Sequence, residues 1–163
     1  MQKEINIAVA GCGYWGPNLI RNFYNLPETK LKVVSDIDTN RLSHMKNLYP
    51  DITTTTDFND IVEDSDIDAV VIATPVHLHY ELAKKSLQAG KHTFIEKPMA
   101  SSSSECSELV KLADENKLKL MVGHTFIFTP AVRKIKEIIQ SGELGEIYYI
   151  SSQRLNLGLF QIY

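Results

Sequence analysis

Ile7-Ala8-Val9-Ala10-Gly11-Cys12-Gly13-Tyr14-Trp15-Gly16 runs from a β-rich stretch into a G-x-G-x-x-G turn, and Asp36 closes the next β-rich stretch. In this pattern Gly11 supplies a tight turn, Gly13 allows a pyrophosphate to approach the backbone, and Gly16 lets a helix pack on the strand. Free N–H groups at the helix start then receive the anion. Asp36 would accept hydrogen bonds from ribose hydroxyls and repel a 2′-phosphate, which favours NAD over NADP. Two structural alternatives stay open: the glycines make only a turn, or Asp36 caps a helix, although Asp38 or Thr39 could do that instead. Tyr14 and Trp15 lie within the turn, where Trp15 either packs or sits beside the nicotinamide end of the cofactor.

A second stretch, Phe94-Ile95-Glu96-Lys97-Pro98, ends an apolar run in two opposite charges and a proline. It is either a solvated strand end or the lip of a site.

Positioning these residues requires a sheet. Short β-rich runs at 5–10, 31–35, 52–55, 68–73, 92–95 and 118–122 alternate with helical stretches at 16–26, 40–49, 57–63, 77–89 and 103–116. The alternation predicts βαβ units on a parallel sheet with both faces covered, joined by right-handed connections. Pro17 fits a first helical turn, Gly90 a helix end, and Ser102-x-x-Glu105 a capping box. On this order Glu96 and Lys97 arrive at the carboxyl edge of the fifth strand, where open parallel sheets bind ligands.

Composition excludes several classes. Seventeen basic residues against 20 acidic ones give a net charge of -3 across 163 residues, without the basic stripe that a nucleic-acid backbone requires. Cys12 and Cys106 form neither a metal-ligand spacing nor a disulfide framework, so a reducing, cytoplasmic setting is the simplest expectation. Val9-Ala10-Gly11-Cys12 resembles a lipoprotein cleavage box, but the apolar stretch before it is too short for a signal. No apolar run is long enough for a membrane span.

Taken in order, the glycine turn, A-T-P-V-H-L-H-Y-E-L-A at 73–83 and A-G-K-H-T-F-I-E-K-P at 89–98 resemble the glucose-fructose oxidoreductase / myo-inositol dehydrogenase (Gfo/Idh/MocA) family. G-Y-W-G-P-N at 13–18, V-G-H-T-F at 122–126 and R-L-N-L-G-L-F-Q at 154–161 resemble its branch acting at C3 of nucleotide sugars such as UDP-N-acetylglucosamine or its uronate. The resemblance implies an NAD-dependent oxidoreductase that oxidises a sugar or nucleotide-sugar hydroxyl by hydride transfer. Thr74 and Pro75 would close over the cofactor, with His79 near it. Glu96 would bind the nicotinamide ribose, Lys97 would contact the reacting hydroxyl as catalytic and substrate residue without being the sole base, and His124 would floor the sugar site. His77 is read as a helix-start contact.

The fold expected is α/β, a Rossmann doubly wound parallel sheet over residues 1–123, followed over 124–163 by the truncated start of an α+β substrate and oligomerisation domain. Within the latter, Thr129-Pro130 opens a helix that Gly142 stops, and 146–155 reads as a long strand that docks intermolecularly or stays poorly ordered. Family members run well beyond this length, and the resemblance implies that a downstream domain supplies an Asp/His catalytic pair and the interface of a homo-oligomer, the assembly expected here. The competing expectation is a non-catalytic NAD-binding or regulatory module acting with a partner chain.

Overall fold

The computed structural model describes residues 4–153 and 155. Strands β1 (Ile5–Ala10), β2 (Thr29–Ser35), β3 (Thr53–Thr55), β4 (Ala69–Ile72), β5 (His92–Ile95) and β6 (Leu120–Val122) form one sheet in the order β3-β2-β1-β4-β5-β6. Each neighbouring pair is parallel, so the architecture is a Rossmann-like doubly wound sheet. Helices α1 (Gly16–Asn25), α2 (Thr39–Leu48), α3 (Asn59–Glu63), α4 (His79–Gln88) and α5 (Ser103–Glu115) make the crossovers.

Two apolar cores explain why the strands read as nearly continuous Val and Ile. Ile7, Val9, Val34 and Val71 pack with Leu19, Ile20, Leu42 and Met45 of α1 and α2. Ala8, Val33, Val70, Ile72 and Ile95 pack with Ile61, Ala83, Leu87 and Leu109 of α3, α4 and α5. Successive strand residues point to opposite faces, so both faces demand apolar side chains. One irregularity adjusts the alternation: Ile7 lies opposite Leu31 but Ala8 lies opposite Val33. The extra residue, Lys32, is left out of the pairing and reaches Asp66 at 3.1 Å.

Three element boundaries differ from the sequence expectation for local reasons. Residues 76–78 form a 3₁₀ turn rather than the start of α4, with the Leu78 N–H donating to the Pro75 carbonyl at 2.9 Å. Strand β6 starts at Leu120 because Leu118 still closes α5, its N–H donating to Ala113 O at 2.8 Å after Lys117 turns with φ 56°. Helix α3 is a single short turn of five residues. Ser102 forms the full capping box with Glu105 ahead of α5, and Gly90 adopts φ 76° past α4.

The chain divides into two compact units between His124 and Thr125. The second begins with a 3₁₀ turn, Thr125–Phe128, and helix α6 (Pro130–Ser141), which Gly142 ends at φ 76°. Residues 146–153 and 155 form no strand; Arg154 lies outside the described residues. A strand exists through pairing, and this unit's described residues offer no second strand to pair with.

Lys91 is a buried lysine at the edge of the sheet opposite the crevice. It is 6% exposed, and its Nζ donates to the carbonyls of Asp64 (2.6 Å) and Ile67 (2.9 Å), holding the entry to β4 against the entry to β5. Lys91→Met fills much of the same volume but strands those two acceptors, and it is expected to lower unfolding free energy by about 1–3 kcal/mol. Urea denaturation measures this; an unchanged midpoint would show that the carbonyls find water instead.

Candidate functional site

The strand register levels the carboxyl edge. Ala10 lies opposite both Ser35 and Ile72, Ile72 opposite Ile95, and Ile95 opposite Val122. The next rung continues this: the N–H groups of Gly11, Ala73, Glu96 and Gly123 donate to Ser35 O (2.7 Å), Ala10 O (2.8 Å), Ile72 O (2.9 Å) and Ile95 O (2.8 Å). Asp36, Thr74, Glu96, Lys97 and His124 therefore leave one edge of the sheet, on either side of the point between β1 and β4 where strand order reverses. Such a switch point is where doubly wound sheets open a crevice.

The glycine turn is shaped by backbone contact. Gly11 has φ 101°, and a Cβ there would stand 2.6 Å from Ala73 O and 2.9 Å from the Thr74 nitrogen. A Cβ on Gly16 would overlap the Gly11 carbonyl. Around Gly13 there is room, the nearest group to a would-be Cβ being Arg41 Nη1 at 3.7 Å. Among the described residues no side chain caps the start of α1. By contrast, Asp38 caps α2 and Ser102 caps α5. The turn thus leaves donors and space together, as a diphosphate requires. Burial, with Asp36 second and Arg41 opposing, pushes the Cys12 thiol up to about 12, so it stays neutral beneath the turn. Tyr14 and Trp15 are exposed, their rings stacked at a centroid distance of 6.4 Å.

Asp36 is not the helix cap. Its Oδ2 accepts from the Cys12 N–H at 2.6 Å and its Oδ1 from the Asp38 N–H at 2.9 Å. Arg41 Nη1 stands 3.8 Å from Oδ2. A carboxylate offers about four acceptor positions, so these two bonds leave capacity for a ribose. Sequence reasoning passed over Arg41, although its place three residues after the capping Asp38 on α2 was available as a signal.

Across the switch point, Thr74 Oγ1 and Glu96 Oε1 are buried without a hydrogen-bond partner among the described residues. Buried polar atoms are nearly always satisfied, so two orphans on adjacent strand ends have acceptor and donor capacity open to a ligand or water. Glu96 is 8% exposed, and its Oε2 accepts from the Lys97 N–H at 3.2 Å. Lys97, Pro75, His77 and His124 are exposed, and the Lys97–Pro98 peptide is cis. The donor and acceptor set fits a dinucleotide: an uncapped helix start in the middle, with a carboxyl group to either side.

His79, expected beside the cofactor, has no ring nitrogen to spare for one. It is 1% exposed, with Nδ1 2.8 Å from Pro98 O and Nε2 2.8 Å from Thr74 O. Carbonyl oxygens only accept, so the imidazole is the donor in whichever bonds form. The side chain ties the loop after β4 to the loop after β5. Nothing in the sequence could reveal this, because both partners are backbone carbonyls. His79→Phe keeps a ring but offers no donor, and is expected to lower stability by about 1–3 kcal/mol in urea denaturation; wild-type stability in this variant would count against the tie.

The family described as "Oxidoreductase family, NAD-binding Rossmann fold" (Gfo/Idh/MocA) matches residues 5–124. The chain is 34% identical over 145 residues to the uncharacterized oxidoreductase YrbE of Bacillus subtilis, covering 89% of this chain and 42% of that protein. It is 35% identical over 123 residues to scyllo-inositol 2-dehydrogenase (NADP(+)) IolW of the same organism, covering 74% and 34%. The crystal structure of Lactobacillus casei scyllo-inositol dehydrogenase with bound NAD(H) and scyllo-inositol superposes with a TM-score of 0.81 at 27% identity, over 88% of this chain and 43% of that one. The chain thus spans less than half the length of these relatives. With the glycine turn, the strand order and the orphaned crevice atoms all in the matched region, the chain belongs to the Gfo/Idh/MocA oxidoreductase family, as its NAD-binding Rossmann fold.

Proposed function

We propose that this chain is the cofactor-binding part of an NAD-dependent oxidoreductase that oxidises a hydroxyl of a sugar or polyol. The observation that carries the reading is the pair of buried, unpartnered atoms, Thr74 Oγ1 and Glu96 Oε1, across the glycine turn from Asp36. Oxidising an alcohol removes a hydride from carbon and a proton from oxygen. Bound nicotinamide supplies the hydride acceptor. The chain supplies position: Asp36 for the adenosine ribose, the turn and α1 for the pyrophosphate, Thr74 and Pro75 along the cofactor, and Glu96 for the second ribose. Lys97, exposed at the β5 exit, would hold the reacting hydroxyl, and His124, exposed after β6, would meet the sugar. Fixing reacting atoms in this way is worth a large share of such a barrier.

A nucleotide sugar is the narrower substrate class that G-Y-W-G-P-N, V-G-H-T-F and R-L-N-L-G-L-F-Q favour. That choice rests on sequence alone, and in the last segment only Leu155 lies among the described residues. The boundary between a cofactor domain ending at residue 123 and a substrate domain beginning at 124, and a homo-oligomeric state, belong to the same reading. No helix among the described residues is long and apolar enough to cross a membrane.

IolW is an NADP(+) enzyme by name, and Arg41 beside Asp36 puts a cation near the adenosine ribose. The Asp36 carboxylate keeps acceptor capacity for the ribose hydroxyls and would repel a 2′-phosphate, so NAD is the preferred cofactor. In calorimetric titrations NAD is expected to bind at least about tenfold tighter than NADP, the value of one hydrogen bond to a charged group; tighter NADP would overturn the role of Asp36. With a sugar or polyol substrate, Lys97→Ala is expected to lower turnover by roughly a hundredfold or more while NAD affinity stays within about twofold. Steady-state kinetics alongside the titration separates these, and unchanged turnover removes Lys97 from the chemistry.

A further inference from the structure

We infer that Gly123 is a positioning residue, the floor against which the Glu96 carboxyl group is set. A Cβ built on Gly123 would stand 3.0 Å from both Oε1 and Oε2 of Glu96 and 3.1 Å from Cδ. Those separations are well inside ordinary carbon–oxygen contact, and their near equality puts the whole carboxyl group, not one oxygen, against this residue. Among the described residues the positive-φ glycines are Gly11, Gly90, Gly142 and Gly145, not Gly123. The backbone therefore asks for no glycine here; the neighbouring carboxyl group does.

Both backbones are tied into the sheet. The Gly123 N–H donates to Ile95 O at 2.8 Å and the Glu96 N–H to Ile72 O at 2.9 Å, so both residues are fixed by rungs of the same sheet. The Glu96 side chain is the part that would move. The hydrogen bond that its Oε2 accepts from the Lys97 N–H is long, at 3.2 Å, and its Oε1 has no partner among the described residues. An added methyl group at 123 would shift both oxygens together by a few tenths of an ångström. A pair of vicinal ribose hydroxyls, which uses both oxygens of one carboxyl group at once, is the ligand most sensitive to such a shift.

This rests on the reading of Glu96 as acceptor for the nicotinamide ribose, and the test separates the two. Calorimetry on the full chain compares NADH with ADP, which shares the adenosine and pyrophosphate but lacks that ribose. Gly123→Ala is expected to weaken NADH about tenfold, one hydrogen bond to a charged group, and to leave ADP within about twofold. In a Glu96→Ala background the same substitution is expected to add less than about a twofold further loss, the coupling that contacting residues show. Equal weakening of NADH and ADP, an unchanged NADH affinity, or a full loss persisting without Glu96 would each overturn the inference. If the unmutated chain binds NADH no tighter than ADP, the reading of Glu96 falls, and the inference falls with it.

Discussion

The crevice depends on one close approach of backbone to backbone, where β1 leaves the sheet at Gly11 against the exit of β4 at Ala73 and Thr74. A side chain at Gly11 would meet Ala73 O at 2.6 Å in a conformation, φ 101°, that side-chain-bearing residues rarely adopt. The two central strands could then not end side by side. Helix α1 depends on the same contact, because it enters over the Gly11 carbonyl with only the hydrogen of Gly16 between them. That entry brings Leu19 and Ile20 down onto Ile7, Val9 and Val71. Sheet closure, helix docking and an uncapped helix start at the switch point are thus three consequences of one steric requirement.

Around that contact the loops are held by ties that end on backbone. Asp36 grips the Cys12 N–H, His79 spans Thr74 O and Pro98 O, and Glu96 rests on Gly123. A backbone partner in a sheet rung or its first loop residue has little freedom, so each tie transmits the sheet's rigidity to a functional side chain. The helix surface shows the opposite kind of interaction. Lys84 reaches Glu108 at 2.7 Å and Tyr80 OH at 2.9 Å between α4 and α5, pushing the lysine up and holding the glutamate below the usual carboxylate range. Glu108 is exposed and Lys84 and Tyr80 partly so, water screens the pair, and it steadies two helices without setting anything at the crevice.

The sheet was legible because both its faces are buried: V-V, A-V-V-I and T-F-I admit no other comfortable place. Caps were legible because they are local, Ser102 with Glu105 and Asp38 with its own helix. The glycine turn and Asp36 carried the cofactor through spacing alone. What sequence could not reveal depends on partners distant in the chain and chemically anonymous. The ring nitrogens of His79 face two backbone carbonyls, and Gly123 faces the Glu96 carboxyl group, partners that no spacing names. The 146–155 stretch has the composition of a strand, but composition is only half of a strand and a neighbour is the other half.

The crevice is also ordered by hydrogen-bonding polarity along its length. Acceptors stand at one end in Asp36, donors stand in the middle at the uncapped start of α1, and acceptors return at the other end in Glu96. A ligand complementary to that sequence must offer hydroxyls, then an anion, then hydroxyls. A mononucleotide satisfies only the first two, and a free sugar only the last. The neutral Cys12 thiol matters here, since a thiolate beneath the turn would set a second negative charge against the anion. Burial of Cys12 among Ile7, Val9 and Leu19 therefore serves the core and the anion at once. The same side chain that fills the space under the turn adds no charge beside the helix start, so the apolar packing and the binding polarity of this edge are linked.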